Sequence, residues 1–187
     1  MKANLNISAN RSARKWTFGE MVGRALWEYT GSLVFALIPR PFWGIRRVIL
    51  RVYGARVGRD AHIVPSARIA IPWNLEIGDF AAIGDRVILY NLAMIKIGMS
   101  ATVSQGAHLC AGTHDFRHVE FPLIKKPITI GVGAWVCSDA FVGPGVVIGD
   151  FAVVGARAVT MKNVAANEIV AGNPARLIGI RELADTA

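Results

Sequence analysis

The segment ITIGVGAWVCSDAFVGPGVVIGDFAVVG, residues 128–155, repeats one pattern every six residues. An aliphatic side chain stands at Ile130, Val136, Val142, Ile148 and Val154, and a small residue follows each of them. A period of six fits neither the 3.6-residue turn of an α-helix nor the alternation of an isolated strand. It is typical of a parallel β-helix, in which each hexad supplies one short strand and one corner. We therefore expect the aliphatic side chain to point into the axis and the small residue to leave room at the corner.

The same pattern begins at residue 57. Nine earlier aliphatic positions precede those of the quoted segment, namely Val57, Ile63, Ile69, Ile77, Ile83, Leu89, Ile97, Val103 and Leu109. The next residue is glycine at eight of the fourteen positions and Ala, Ser or Cys at four more, with Val64 and Tyr90 as exceptions. Three hexads make a triangular coil of 18 residues, and coils begin at 57, 77, 97, 130 and 148. These starts imply insertions of 2, 2, 15 and 0 residues at one corner. The sequence thus predicts an all-β solenoid of about five coils at 57–164, with a protruding loop at 115–129.

An N-terminal helical segment, residues 1–56, is expected before the solenoid. Its first 15 residues are polar and basic, and we expect them to be loose. Residues 18–38 and 43–58 have helical periodicity and are separated by PRP at 39–41, which predicts two helices. Residues 165–187 leave the hexad pattern and form a C-terminal extension.

The second predicted helix is amphipathic and basic. On one side it carries Ile45, Val48, Ile49 and Val52, and on the other Arg46, Arg47 and Arg51. This pattern suits a helix that lies on an anionic membrane. It equally suits a helix that packs against the solenoid and caps it, as every repeat fold requires.

Composition limits the classes of function. A hydrophobic content of 53% with 18% charged residues indicates a folded domain. The formal net charge of +8 comes with no nucleic-acid recognition motif, so we expect an anionic membrane surface or acidic small molecules such as nucleotide phosphates as partners. The apolar run YTGSLVFALIP, residues 29–39, is too short to span a bilayer and too deep for a secretory signal. A cytoplasmic location is therefore expected, with possible peripheral contact at the inner face of the cell membrane.

Histidine is the residue type that best fits chemistry in this chain. Of His62, His108, His114 and His118, only His114 stands at the junction between a regular hexad and the long insertion. A general base there would be held firmly while the loop covers a substrate, although a histidine that only caps the corner fits the position equally well. The histidine spacing does not match the zinc sites of γ-type carbonic anhydrases, so no metal is expected. Cys110 and Cys137 are expected to be small buried thiols.

The sequence resembles a known family. The segments PRPFWGIRRVILRVYGARVG, YNLAMIKIG, SQGAHLCAGTHDF, FPLIKKPITIGVGAWV and VAGNPAR follow one another in a family-like order over nearly the whole chain. They are similar to hexapeptide-repeat O-acetyltransferases with a left-handed β-helix, and closest to the colanic acid biosynthesis type.

The resemblance implies a catalytic set. His114 corresponds to the histidine that deprotonates an acceptor hydroxyl, which then attacks the thioester of acetyl-CoA directly. Asn91, in YNLAMI, corresponds to an asparagine beside the acceptor, although its spacing to His114 is shorter than in galactoside- and maltose-type relatives. Asp115, in THDF, is expected to orient the acceptor or the base.

The resemblance also implies the co-substrate and partners. Acetyl-CoA would lie between two subunits of a homotrimer and contact Trp135, Ser138, the backbone at Ala156, Lys162 and Arg176. Cys137 and Met161 stand where relatives carry glycine and threonine, which affects the fine geometry of the thioester pocket. The implied acceptor is a saccharide, free or lipid-linked, in exopolysaccharide synthesis. The alternatives are a catalytically silent binding module that reuses the solenoid and, less favoured, a zinc enzyme like γ-carbonic anhydrase.

Overall fold

Fourteen aliphatic side chains of the hexads fill the axis of a parallel β-helix, as the six-residue period predicts, and the β-helix is left-handed, as the family resemblance implies. The computed structural model describes residues 5–184. Every one of the fourteen side chains is buried, from Val57 at 7% exposed to Val154 at 0%. Because each coil places three of them at the same height, the core is one continuous column of Ile, Val and Leu.

Five coils of three short strands form the column. The strands of the first three coils are β1 (Arg56–Val57), β2 (His62–Ile63), β3 (Arg68–Ile69), β4 (Leu75–Ile77), β5 (Ala82–Ile83), β6 (Ile88–Tyr90), β7 (Ile95–Ile97), β8 (Thr102–Val103) and β9 (His108–Cys110). A hairpin of β10 (Gly112–His114) and β11 (Leu123–Lys125) follows. The last coils contain β12 (Ile128–Ile130), β13 (Trp135–Val136), β14 (Phe141–Val142), β15 (Val147–Ile148), β16 (Val153–Val154) and β17 (Val159–Thr160).

Strands at the same height of successive coils pair in parallel and form three sheets. The first sheet has the order β1-β4-β7-β12-β15, and the third has the order β17-β14-β9-β6-β3. The second sheet, β2-β5-β8-β13-β16, is extended by β18 (Glu168–Ala171) and the antiparallel β19 (Arg176–Ile180). We call the turns after the first, second and third sheets the first, second and third corners.

The small residue after each aliphatic position is required by the stacking of the coils. A Cβ atom at Gly78 would lie 2.5 Å from the backbone nitrogen of Met99 in the next coil, and a Cβ at Gly98 would lie 2.7 Å from the carbonyl carbon of Gly131. The left-handed residue of the corner comes two positions later, for example at Phe80 and Ser100. The clash that glycine avoids is therefore with the neighbouring coil rather than within its own turn.

All insertions lie at the third corner. The first two-residue insertion forms a 3-10 turn at Pro72–Asn74, and the 15-residue insertion contains most of the hairpin. The rhythm also continues further than the sequence analysis proposed, because Thr160 takes the next axial position and Val164 bridges to Ile148. With β18, this makes a partial sixth turn.

The helices precede the solenoid. Their bounds are α1 (Ile7–Ser12), α2 (Phe18–Leu26), a π-helical turn (Trp27–Gly31), α3 (Ser32–Leu37) and α4 (Trp43–Val52). A capping box of Thr17 and Glu20 starts α2. Within residues 5–184, none of these helices has the length and apolarity needed to cross a bilayer. The expectation that the first 15 residues are loose is wrong for α1, which packs on the hairpin and buries Asn10; residues 1–4 lie outside the described residues.

The helices cap the first coil through donors that bind its unpaired carbonyl groups. In this stack each coil donates its N–H groups to the following coil, for example from Gly58 to Ile77, which leaves the carbonyls of the first coil without a strand partner. Arg51 donates to Val57, Arg47 to Ala61 and Arg46 to Ile63. The indole Nε1 of Trp27 donates to Ile69 at 2.6 Å. All three edge strands are therefore satisfied by side chains.

The orientation of α4 follows from this capping. The guanidinium of Arg46 is fully buried and also donates to the carbonyls of Ile38, Pro39 and Arg40. Burial lowers the pKa of Arg46 from its ordinary value. The arginine side of the helix therefore faces the solenoid, while Ile45, Val48 and Val52 are exposed. Of the two readings of this helix, capping is observed, and the side that faces the solenoid combines the arginines with Leu50, which is fully buried.

Candidate active site

His114 stands at the end of the first strand of the hairpin, where the chain has left the third corner. Residues Gly112–His114 pair antiparallel with Leu123–Lys125, and His114 lies opposite Leu123. Its imidazole stacks on the ring of Phe121, with the centroids 4.8 Å apart and the planes 10° from parallel. The side chain is half-buried. Strand pairing and stacking together fix the position of the ring.

The hydrogen bond of the ring fixes its tautomer. Nδ1 of His114 lies 2.8 Å from the carbonyl oxygen of Phe121. A carbonyl oxygen only accepts, so Nδ1 carries a proton, and in the neutral form of the ring the lone pair is on Nε2. Phe121 has a left-handed backbone, with φ at 51°, which turns its carbonyl back toward the histidine. A neutral imidazole with a free Nε2 is the form that accepts a proton.

The N-terminal arm, residues 5–16, holds the loop that carries the carbonyl of Phe121. The side-chain amide of Asn10 donates to the carbonyls of Glu120, at 2.9 Å, and Phe121. The backbone N–H of Asn6 donates to Val119 at 2.7 Å. Lys15 donates to the Asn10 side chain, so the arm is itself braced. Sequence reasoning missed Asn10 and Phe121. Asn10 acts through contacts with residues about 110 positions further along the chain, and Phe121 acts through a single left-handed backbone angle.

A basic cavity of about 450 Å³ lies between the arm and the hairpin. Its walls include Arg14, Lys15 and Lys125, with Pro122 and Leu123 on the hairpin side. The ammonium of Lys125 also lies over the ring of Trp16 and donates to the carbonyl of Lys15. The cavity therefore offers several cations next to the strand that faces His114.

Asn91 is brought near the third corner, but its side chain is turned inward and fully buried. Its Oδ1 accepts from the backbone N–H groups of Ala70 and Ile71. Its Nδ2 donates to the carbonyls of Ile71, at 2.5 Å, and Asn74, at 3.2 Å. Both lone pairs and both protons of the amide are thus taken by the backbone of the preceding coil. This geometry supports a positioning role rather than the predicted contact with an acceptor.

Asp115 follows the base and shapes the hairpin turn. Its Oδ1 accepts from the backbone N–H of Arg117 at 3.0 Å, and its own N–H donates to Pro122 at 2.9 Å. Within residues 5–184 its carboxylate makes no hydrogen bond to His114, whose partner is the Phe121 carbonyl. Orientation of the His114 ring therefore comes from the backbone, and Asp115 contributes by holding the turn.

Three of the residues expected to bind the co-substrate lie on the second sheet or at its corner, with Trp135 in β13, Ser138 in the turn after it and Ala156 one coil further on. The indole Nε1 of Trp135 donates to Ser104 Oγ at 2.8 Å, and Gln105 Nε2 donates to Ser138 Oγ at 2.8 Å. Ala156 occupies the equivalent corner of the next coil, where the N–H of Arg157 donates to the carbonyl of Ser138. Burial raises the pKa of the neighbouring Cys137 thiol, so this thiol is a poor nucleophile at neutral pH.

Lys162 and Arg176 lie together elsewhere, at the C-terminal end of the solenoid. They line one cavity of about 350 Å³, whose other walls include Met161, Pro174 and one acidic residue, Glu168. Neither has a carboxylate partner among the salt bridges of the described residues. The cavity can therefore offer two cations to an anionic group.

The remaining histidines and cysteines do not form a metal site. In the part of the chain that the structure describes, no three His, Cys, Asp or Glu side chains are grouped as metal ligands. Cys110 and Cys137 are separate free thiols. His108 lies on the third sheet against Phe141, and burial lowers its pKa. His62 stacks on Trp43 of the cap.

No family model matches the chain. Among curated proteins, it is 41% identical over 168 residues to WcaF of Escherichia coli strain K12, named as a colanic acid biosynthesis acetyltransferase. This alignment covers 90% of the chain and 91% of that protein.

Solved structures share the fold. A maltose O-acetyltransferase from Clostridium difficile 630 superposes with a TM-score of 0.81 at 22% identity, covering 89% of this chain and 90% of the other. A hexapeptide-repeat acetyltransferase from Vibrio cholerae O1 biovar eltor, solved with acetyl coenzyme A, has a TM-score of 0.82 at 21% identity, covering 89% of this chain and 91% of the other. At these identities the likeness establishes the architecture.

Proposed function

The chain belongs to the colanic acid biosynthesis acetyltransferase family of hexapeptide-repeat enzymes, and from this premise we propose that it transfers the acetyl group of acetyl-CoA to a sugar hydroxyl. The carrying observation is the His114 imidazole, whose Nδ1 is bound to the Phe121 carbonyl at 2.8 Å and whose Nε2 is left as the free acceptor. This arrangement supports general base catalysis at the acceptor hydroxyl.

The proposed reaction has no covalent enzyme intermediate. Nε2 of His114 accepts the proton of the acceptor hydroxyl while the oxygen attacks the thioester carbonyl carbon. The tetrahedral intermediate then expels the CoA thiolate, which takes the proton from the imidazolium, giving an acetyl ester and free CoA. The backbone N–H of Ser138, which has no hydrogen-bond partner within residues 5–184, is our candidate donor to the oxyanion.

For acetyl-CoA we propose contacts with Trp135, Ser138 and the backbone at Ala156, and phosphate contacts with Lys162 and Arg176. The exposed indole of Trp135 gives an apolar surface for the pantetheine arm, and the two cations of the C-terminal cavity suit its phosphates. These contact residues, which we call the co-substrate row, are apolar at Trp135 and cationic at Lys162 and Arg176. Acetyl-CoA likewise has an apolar pantetheine arm at one end and phosphates at the other.

We propose a homotrimer with sites between subunits. Within one chain, His114 belongs to the third corner and Ser138 to the second, so one whole face separates them. At about 3.3 Å per residue, a five-residue face is roughly 15 Å wide, well beyond the reach of a proton transfer. A neighbouring copy that brings its own third corner to this second corner would complete the site.

The saccharide acceptor that we propose is lipid-linked and belongs to surface polysaccharide synthesis on the cytoplasmic side of the membrane. The colanic acid pathway named for the E. coli relative supports the polysaccharide. The basic cavity beside the hairpin supports an acceptor that carries phosphate, because Arg14, Lys15 and Lys125 surround it.

The decisive assay measures free thiol released from acetyl-CoA with a panel of sugar and lipid-linked saccharide acceptors. His114→Ala should lower the rate by roughly 10²–10⁴-fold, the usual contribution of a positioned base. His118→Ala, in the same hairpin but exposed, is the matched control and should keep full activity. Equal activity of wild type and His114→Ala would refute the role of the base, and a lack of acetyl-CoA binding would favour a silent module.

The shared site has a separate test. Co-expression of His114→Ala with Trp135→Ala gives mixed assemblies in which some interfaces combine an intact base with an intact co-substrate row. We expect these mixtures to regain part of the activity that each variant alone lacks. Mixed assemblies that stay inactive would place the base and the co-substrate row in the same subunit.

A further inference from the structure

The helix α2 and its continuation through α3 have two opposite apolar sides. The inner side, with Trp27, Gly31 and Phe35, is buried against the solenoid and Tyr53. The outer side carries a second series at helical spacing that faces away from the protein, and its members are Phe18, Val22, Leu26, Tyr29, Leu33 and Leu37. Tyr29 is 76% exposed and Leu37 is 71% exposed. A helix that is apolar on both sides needs cover on the second one.

The neighbouring helix α4 adds to the exposed set. Its arginines are used on the carbonyls of the first coil, so Ile45, Val48 and Val52 remain outside, and Phe42 precedes them. We call these four residues and the six of α2 and α3 the N-terminal apolar surface. Large exposed apolar areas on otherwise folded proteins mark contact sites.

Charge identifies the occupant of this surface. Residues 1–60 contain 11 Lys or Arg against 3 Asp or Glu, a net charge of +8, whereas residues 61–187 contain 10 of each and are neutral. Arg46, Arg47 and Arg51 face the first coil, and Arg40, Arg56 and Arg59 pair with carboxylates of the solenoid. Among residues 5–60, the cations left for an occupant are therefore Arg11, Arg14, Lys15 and Arg24. A second copy of the chain would bring the same positive charge against it, which opposes association. An anionic bilayer attracts it instead.

We propose that the N-terminal apolar surface inserts into the boundary between headgroups and acyl chains of an anionic bilayer. The helix of residues 18–37 would then lie in the membrane plane over about 30 Å. Phe18, Tyr29 and Phe42 supply the aromatic side chains that favour this depth. The proposal rests on exposure and charge rather than on catalysis, so it stands or falls separately from the acetyl transfer.

The experiment is flotation of the full chain with vesicles of phosphatidylcholine, with and without phosphatidylglycerol. We expect binding to the anionic vesicles that weakens as salt is raised. The double variant Leu33→Ser, Leu37→Ser should lower the partition coefficient roughly tenfold for each leucine. The matched control is Phe80→Ser, Met99→Ser, which removes two exposed apolar side chains from the solenoid and should bind as wild type does.

Circular dichroism and the mass of the assembly are recorded for every variant. Absence of binding to either vesicle, or equal binding by the leucine variant and wild type, would overturn the proposal. A leucine variant that stays folded but has a smaller assembly would overturn it too, because the surface would then be a contact between copies. Loss of anionic binding at unchanged fold and mass supports the bilayer.

Discussion

Replacement of Asn10 by alanine should slow the reaction, because Asn10, which lines the basic cavity, also holds the loop that orients His114. Its amide donates to the carbonyls of Glu120 and Phe121, and the latter carbonyl orients His114. Each such bond contributes about 1 kcal/mol net, so their loss weakens the docking of the loop by about 2 kcal/mol. If all of this is felt as lost alignment of the base, kcat falls by up to roughly thirtyfold.

The assay separates alignment from binding. Thiol release at saturating acetyl-CoA should give a lower kcat for Asn10→Ala with an unchanged KM for acetyl-CoA. Ser12→Ala is the matched control, because its hydroxyl bonds only within α1, to Ser8 and Ala9. Long-range ¹H–¹⁵N NMR of the histidine ring gives a readout without turnover, in which the Asn10 variant should lose the single Nδ1–H tautomer. A variant with wild-type kcat and an unchanged tautomer would refute the proposed role of Asn10 in positioning His114.

Three further predictions concern stability, each measured by denaturant unfolding at a fixed protein concentration. Arg46→Met should lower the free energy of unfolding by about 3–5 kcal/mol, because four carbonyls lose a buried charged donor. The control Arg59→Met, at an exposed arginine, should lower it by under about 1 kcal/mol. Equal effects of the two substitutions would contradict the capping role of Arg46. Asn91→Ala should cost about 2–3 kcal/mol through its unpaired backbone partners; a variant of unchanged stability with a raised acceptor KM would instead restore the predicted acceptor contact. Acidification should destabilise the protein. The Arg59 backbone N–H and guanidinium lower the pKa of Asp79 below 3.8. Partial burial acts to raise the pKa of Glu76, but Lys96 and Arg56 outweigh it and lower this pKa below 4.5. Because both pKa values are lower in the folded state, the stabilisation is present above these ordinary values and is lost as pH falls through the folded ones; Asp79→Asn should flatten the dependence, and an unchanged slope would contradict it.

The solenoid was readable from the sequence because its rule is local. Each hexad contains its own aliphatic and small residue, so the period can be seen without knowledge of the fold. The close approach of the next coil at Gly78 and Gly98 explains why the position after the aliphatic residue must be small. The helix α4 shows the limit of prediction from sequence periodicity. Its periodicity separated Ile45, Val48 and Val52 from the arginines, but Ile49 packs against the core. Which side is buried depends on carbonyl groups of the first coil, for example that of Ile63, which only the assembled fold presents.

The position of His114 was predictable to a similar degree, while its role as the base stays a prediction. The break in the rhythm located His114, and the hairpin places it on a paired strand. The hydrogen bonds of Asn10 depend on contact between the N-terminal residues and the hairpin, which are far apart in the chain. The tautomer of His114 depends on the left-handed backbone of Phe121. The inward turn of Asn91 arises because the two-residue insertion of the preceding coil needs its backbone groups satisfied. None of these leaves a periodic trace in the sequence.

The capping of the first coil has a consequence for how the protein can assemble. A parallel β-helix left uncovered ends in three open strand edges, and a second solenoid could dock there and extend the stack into a fibre. Arg46, Arg47, Arg51 and Trp27 occupy the carbonyls that such growth requires. At the other end β19 runs antiparallel to β18 and interrupts the parallel order. The capped end therefore leaves the flanks for contact between copies, as the proposed homotrimer requires, and hinders lengthwise polymerisation.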